Sequence, residues 1–240
     1  MISQLPSRIT PGPHWRMTLR PLDYDPARFR SLLECRTAVE RAQVRLRGWY
    51  FPHLSHKPED QEAGNGYIAV GTDWSGQLEY WRFYLSGQFL GLYAVRETTE
   101  DGWSEKLRKT ARAHYGPQAV LVENYFDMTN FLYNVTELYE FASRLCQQGS
   151  YEGALEIGLQ LVNSAGFGLM AGPMRSWSES YTLSSDDLSY RVVLDCADLV
   201  SGGPEPSLTA CVWFFERFGW LDAPLEVLRG DVQKFLDGKV

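Results

Sequence analysis

The chain has 240 residues, 44% of them hydrophobic and 14% aromatic, and a formal net charge of −7. That length and apolar content suffice for a sizeable core and exclude an intrinsically disordered chain. The acidic balance opposes non-specific nucleic-acid binding, which depends on Lys and Arg displacing counterions from phosphates, although a local basic face remains open.

Met1 to Pro13 lacks the apolar run of a signal peptide, and no stretch of about 18 apolar residues exists to span a membrane. The four cysteines, Cys35, Cys146, Cys196 and Cys211, form no CxxC pair and suit no common zinc spacing. Three of them fall in or beside helical apolar stripes, so buried thiols are expected, and a disulfide framework is not. Together these features predict a soluble protein of a reducing cytoplasm.

In chain order, residues 1–15 carry Pro6, Pro11 and Pro13 and read as a loose N-terminal arm. Arg16 to Arg20 alternates and predicts a first strand. Asp25-Pro26 reads as a helix start, with Phe29, Leu32, Leu33 and Val39 on one face and an end near Gln43. Val44 to Tyr50 is expected to begin a strand that Pro52 stops. Residues 53–65 read as a surface loop, and Tyr67 to Val70 as a short strand.

Leu78 to Leu85 and Gln88 to Arg96 flank Ser86-Gly87, which predicts a hairpin on a two-residue turn. Both faces of its first strand are apolar or aromatic, so that strand is expected to be central. A polar helix over 101–115 and a strand over 119–125 follow. Asn134 with Glu137 resembles a capping box ahead of the stripe Leu138, Phe141, Ala142, Leu145. Leu155, Ile157, Leu159 and Leu161 alternate as a half-buried strand. Tyr181 to Leu183 and Tyr190 to Asp195 suggest two more strands. Helices follow Pro204/Pro206 and Asp222.

Strands cluster in the middle and helices near the ends. The predicted fold is α+β: a mostly antiparallel sheet with helices packed on it, two of them at the C-terminus, in a single domain over residues 16–240. Trp81, Phe83, Leu138, Phe141, Leu159, Phe215 and Leu228 are expected to share the core.

No pattern assigns a catalytic residue, a cofactor or a metal ligand. His53 and His56, followed by Glu59, Asp60 and Glu62, offer ligand and acid–base chemistry, but an HxxH in a loop has no fixed geometry. Ser86 lacks the flanking glycines and the following helix of a nucleophile elbow. Gly166, Gly168 and Gly172 lack the spacing of a phosphate loop. Arg28, Arg30, Arg36, Arg41, Arg45 and Arg47 make residues 28–47 basic, and Lys106, Arg108, Lys109 and Arg112 form a second run. Glu79 and Arg82 sit among Tyr80, Trp81, Phe83 and Tyr84, so they need partners; Arg47, Glu137 and Arg144 are the expected ones. The positions singled out for binding are Arg36, Arg41, Arg45, Arg47, Trp49, His53, Tyr80 and Arg82.

Four segments resemble a poorly characterised bacterial domain: Leu46-Arg47-Gly48-Trp49-Tyr50-Phe51-Pro52-His53, Thr72-Asp73-Trp74, Glu79-Tyr80-Trp81-Arg82-Phe83-Tyr84-Leu85-Ser86-Gly87-Gln88-Phe89, and Thr136 to Leu145. The domain occurs alone or beside AlbA-like modules of the Schlafen type ascribed to DNA binding. The resemblance spans roughly residues 16–240 and transfers no active site. It implies a bacterial accessory or sensing domain beside DNA-directed or defence machinery.

The leading expectation is therefore a non-enzymatic module with a protein partner. One alternative is a small metal-dependent hydrolase or nuclease built on the His53–Glu62 loop. Another is a nucleic-acid-binding accessory protein using the Arg-rich 28–47 segment.

Overall fold

In the computed structural model the described residues are 2–100, 102–116, 122–170 and 181–239. Their strands are β1 (His14–Pro21), β2 (Gln61–Gly64), β3 (Tyr67–Trp74), β4 (Gln77–Tyr84), β5 (Phe89–Ala94), β6 (Tyr125–Asp127), β7 (Ala154–Val162), β8 (Gly168–Met170), β9 (Tyr181–Thr182) and β10 (Leu188–Asp195). Their α-helices are α1 (Leu5–Ile9), α2 (Leu32–Ala42), α3 (Arg96–Thr99), α4 (Trp103–Tyr115), α5 (Met128–Gln147), α6 (Cys196–Ser201), α7 (Glu205–Arg217) and α8 (Leu225–Leu236).

Seven strands form one antiparallel sheet in the order β10-β7-β1-β5-β4-β3-β2. A smaller sheet, β6-β8-β9, contains a parallel β6–β8 pair. The fold is thus the expected α+β arrangement, with α7 and α8 at the C-terminal end.

Alternation places Trp15, Met17, Leu19, Trp81, Phe83, Phe89, Tyr93, Ile157 and Leu159 on the inner face of the large sheet. Helices cover that face. Trp15 meets Phe131 of α5 and Phe214 of α7 edge to face, with ring centroids at 4.8 and 5.4 Å. All seven residues expected in the core lie in one buried cluster. β4 is covered on both faces where Tyr80 and Trp81 stand side by side, as its lack of a polar face predicts.

Residues 2–9 are not a loose arm. They form a short 3-10 turn and α1, and Leu5 and Ile9 are buried on the outer face of the sheet with Ala69, Tyr80 and Leu92. Two buried aliphatic side chains in five residues supply the apolar contact that the three prolines obscure.

Other boundaries move for local reasons. The first long helix begins at Leu32, not at Asp25. Ser31 Oγ accepts from the Glu34 amide, while the Glu34 carboxylate accepts from the Arg30 amide at 2.6 Å. Asp25 spends its side chain on a turn, accepting from the Ala27 amide at 2.8 Å. Val44 to Tyr50 forms no strand, only an isolated bridge between Val44 and Phe51. The 53–65 loop contains β2.

The hairpin loop has three residues rather than two. Tyr84 and Gln88 still pair, and Leu85 turns away to bond Gly66 and Phe29 through its backbone. Gly87 takes the left-handed conformation, φ 81°. α5 begins at Met128, six residues before Asn134, because Asp127 caps it by accepting from the amides of Thr129 and Asn130. Residues 119–121 of the expected strand and Ala171 and Gly172 of the glycine-rich stretch lie outside the described residues.

Cys35 and Cys211 are buried thiols as expected, and burial pushes the Cys35 thiol up to about 12. Cys146 and Cys196 are instead joined as a disulfide, with Cα atoms 5.5 Å apart. The last turn of α5 meets the junction of β10 and α6 there. Sequence spacing carries no trace of that meeting. Among the described residues, no helix is long and apolar enough to cross a membrane.

Candidate functional site

A polar cluster is built into the interface between the inner sheet face and α5. Asn130, Asn134 and Glu137 lie at i, i+4 and i+7 along α5 and share one face of the helix. Against them the 44–52 segment inserts Arg47. Its guanidinium donates to Glu137 Oε1 at 3.0 Å and Oε2 at 2.6 Å, to Asn130 Oδ1 at 2.6 Å and to Asn134 Oδ1 at 2.5 Å. Glu137 is 1% exposed and Arg47 11%. Trp49 lies between two guanidinium groups, 4.7 Å from Arg47 and 4.4 Å from Arg96.

Asn130 passes the chain of bonds on, donating from Nδ2 to Glu97 Oε1 at 2.9 Å. Glu79 enters from β4, opposite Tyr93 of β5. Its Oε1 accepts from the Gln77 side chain, and among the described residues its Oε2 lies buried without a well-formed hydrogen bond. Burial pushes both the Glu79 and the Glu97 carboxyl up to about 7. Burial raises Glu137 as well, with Arg47 opposing it.

The cluster therefore holds protons that exchange near neutral pH. The cavity it encloses is about 40 Å³, lined by Glu79, Tyr93, Arg47 and Trp49. Ligand pockets usually run to several hundred Å³, so this space takes a water or two and not an organic substrate. Its chemistry is that of a polar lock between sheet and helix.

The predicted binding residues do not form one surface. Arg47 and Trp49 belong to the lock. Arg36 is held by Glu40 at 2.8 Å and Gln61 at 2.5 Å, with His56 Nδ1 at 3.4 Å. Arg45 packs on Tyr50 and bonds its hydroxyl at 3.0 Å. Tyr80 is buried beneath α1, its hydroxyl accepting from Arg82, which lies 4.5 Å over the Tyr67 ring.

His53 is half-buried, and burial lowers its pKa against the raising effect of Asp60. Its carbonyl accepts from the Trp81 indole at 2.7 Å. The acids of that loop are engaged separately, Asp60 by Ser55 and Glu62 by Tyr67. Among the described residues, no three His, Cys, Asp or Glu side chains gather as a metal-ligand set. Of the second basic run, Lys109 pairs with Glu105; it lies on α4, which packs on α3 and β6 rather than beside α2.

Of the five singled-out arginines, Arg45 and Arg41 are exposed with no ion pair among the described residues, Arg45 against Tyr50 and Arg41 on the solvent side of α2. That helix runs between two recesses. One, of about 700 Å³, lies toward Asp23, Arg28, Thr37, Arg41 and Glu152. The other, of about 420 Å³, is apolar and lies toward Leu54, Pro58, Ala63 and Ile68 beside β2. Leu33 borders both and is 72% exposed.

Sequence reading placed Leu33 on the buried stripe. The buried face of α2 runs through Cys35, Ala38, Val39 and Ala42, and Leu33 falls outside it. Asn130 and Glu97 were missed; a polar residue at a core-facing position of α5 is the one signal that marks Asn130. No family model, curated protein or solved structure matches this chain.

Proposed function

We propose that the protein is a non-enzymatic protein-binding accessory module of the bacterial cytoplasm, working beside defence or DNA-directed machinery. The observation that carries the reading is Leu33, a large aliphatic side chain standing in solvent on the ridge between two recesses. Isolated exposed leucines are ordinary, but one flanked by an apolar trough and an open sheet edge has the layout of an interaction surface. β2 is the outermost strand of the sheet, and the trough runs along it. An extended segment of a partner could pair with that edge and place alternate side chains against Leu33, Leu54 and Ile68.

A cytoplasmic location bears on the disulfide. Glutathione keeps cytosolic thiols reduced, so Cys146 and Cys196 would stand there as a thiol pair and close on oxidation.

The experiment compares tagged native protein with Leu33→Asp and Arg41→Glu in quantitative pull-downs from a bacterial host. Specific partners should be retained by the native chain and depleted about tenfold or more by either variant, with melting temperatures unchanged. Identical retention by native and variant protein would dispose of this surface.

A further inference from the structure

The two edges of the large sheet differ. β2, at one end, has four residues. β10, at the other, runs for eight and contains no proline, glycine or lysine. Natural edges are blunted by shortness, by proline, by lysine or by a bulge, because an open row of N–H and C=O groups invites another strand. β10 keeps an unbroken register with β7 over its whole length.

The direction of its backbone groups follows from one bond. The Cys196 amide, in the same register, donates to the Gly153 carbonyl at 2.9 Å. In an antiparallel ladder alternate residues exchange both bonds with the neighbouring strand. Leu194, Val192 and Tyr190 therefore turn their backbone groups to β7, and Asp195, Val193, Arg191 and Ser189 turn theirs outward. Among the described residues no strand pairs with that outward side. The same four side chains are exposed on the outer face, Val193 to 51%. Tyr190, Val192 and Leu194 are half-buried on the inner face, where Tyr190 meets Trp213 of α7 with ring centroids 5.3 Å apart.

The strand is self-complementary about Val193. Arg191 stands two residues before it and Asp195 two after, with Val192 and Leu194 between. We infer that β10 pairs antiparallel with β10 of a second copy, across a twofold axis at Val193. In that register Val193 opposes its own copy, and Arg191 opposes Asp195 on both sides of the axis. On the inner face Val192 opposes Leu194. Directly opposed side chains have Cβ atoms about 5 Å apart, so each charge meets its counter-charge and each aliphatic group an aliphatic one. The backbones of the Arg191–Asp195 and Val193–Val193 pairs exchange both hydrogen bonds, which fills the open row.

Other registers fail. An axis at Arg191 sets arginine against arginine, and one at Asp195 sets aspartate against aspartate, which is destabilising at that distance. Axes at Val192 or Leu194 set a charge against Val193. Within the chain, neither the Arg191 nor the Asp195 side chain is held in an ion pair among the described residues, so both are available to the second copy. An interface of this kind is isologous and closes at two copies. It lies at the opposite edge from the β2 trough and does not depend on it.

The test is sedimentation velocity of the full chain at about 150 mM salt, over about 5–500 µM protein, the range of a small reversible interface. Native protein should pass from monomer to dimer and no further. Val193→Lys sets two lysines against each other at the axis and should weaken association about tenfold or more, with the melting curve of dilute protein unchanged. Arg191→Glu and Asp195→Arg should each be monomeric alone and form a heterodimer when mixed, because each repairs the like-charge pair of the other. Leu33→Asp should dimerise as the native chain does. A native chain that stays monomeric over this range would overturn the inference, even if Val193→Lys lost a partner captured by the native protein, since the edge would then serve a different chain. So would dimerisation that Val193→Lys leaves intact, or charge variants that fail to pair when mixed.

Discussion

Arg47 holds both carboxylate oxygens of Glu137 across ninety residues of sequence, Nε on Oε1 and Nη2 on Oε2. The fork fits because Arg47 enters a slot where α5 offers an acid and two amides on one face. Both partners are withdrawn from water, so neither can be removed alone without stranding the other.

Arg47→Met is therefore expected to lower unfolding free energy by about 3–5 kcal/mol, since Glu137, Asn130 and Asn134 lose their donor. The double variant Arg47→Met with Glu137→Met should recover much of that loss, because it removes the stranded charge. Denaturant unfolding of the four members of the cycle gives the coupling. A single-variant loss under about 1 kcal/mol would mean that the slot opens to water easily.

Glu79 and Glu97 give the protein a defined response to pH. Each carboxyl is at about 7 when folded, against a reference of 4.5. Below about pH 4.5 both states carry the proton and nothing is lost. Between about 4.5 and 7 the folded state keeps a proton that the unfolded chain releases, so stability falls as pH rises. Each group accounts for about 3 kcal/mol over that window. Glu79→Gln should therefore be more stable than the native protein near pH 8 and close to it near pH 4, read from urea midpoints. A variant less stable than native near pH 8 would show that the ionised Glu79 is fully satisfied.

The shared core predicts its own magnitude. Phe83 and Phe141 are fully buried, and Phe141 packs against Phe89 with centroids 5.2 Å apart. Phe83→Ala or Phe141→Ala should cost about 3–5 kcal/mol. A change below about 1 kcal/mol would mean that the cavity collapses almost without cost.

Much of the sheet was legible because its patterns are local. β7 alternates without a break, and the Ser86-Gly87 pair marks a hairpin whatever surrounds it. Boundaries set by one side-chain bond were not legible. Ser31 and Asp127 cap helices that Asp25 and Asn134 seemed as fit to begin, and only tertiary packing ranks them. The lock was half legible: Glu79, placed among aromatics, demanded a partner, but none of the expected groups bonds it. Arg47 and Glu137 bond each other because the fold puts them face to face, Arg144 pairs with Glu140, and Glu79 is left to Gln77 and Arg82 to Tyr80. Of the predicted binding arginines, Arg36 and Arg47 find acids among the described residues and Arg41, Arg45 and Arg82 do not, since charge patterning in sequence does not reveal which guanidinium groups will meet a carboxylate.

The Cys146–Cys196 bond closes a loop across fifty residues, from the last turn of α5 to the first of α6. Loop-closure entropy in the unfolded chain sets its contribution at about 4 kcal/mol. Thiol titration of protein purified in air and then unfolded should find two reactive groups, Cys35 and Cys211, and four after reduction. Native protein should react slowly, because both free thiols are buried. Cys146→Ser with Cys196→Ser should melt lower than the oxidised protein and match the reduced one, since serine and a reduced thiol leave the same unfolded chain unconstrained. Four reactive thiols in the air-purified protein would instead mean that the two sulfurs meet without bonding, and reduction would then leave the melting temperature where it was.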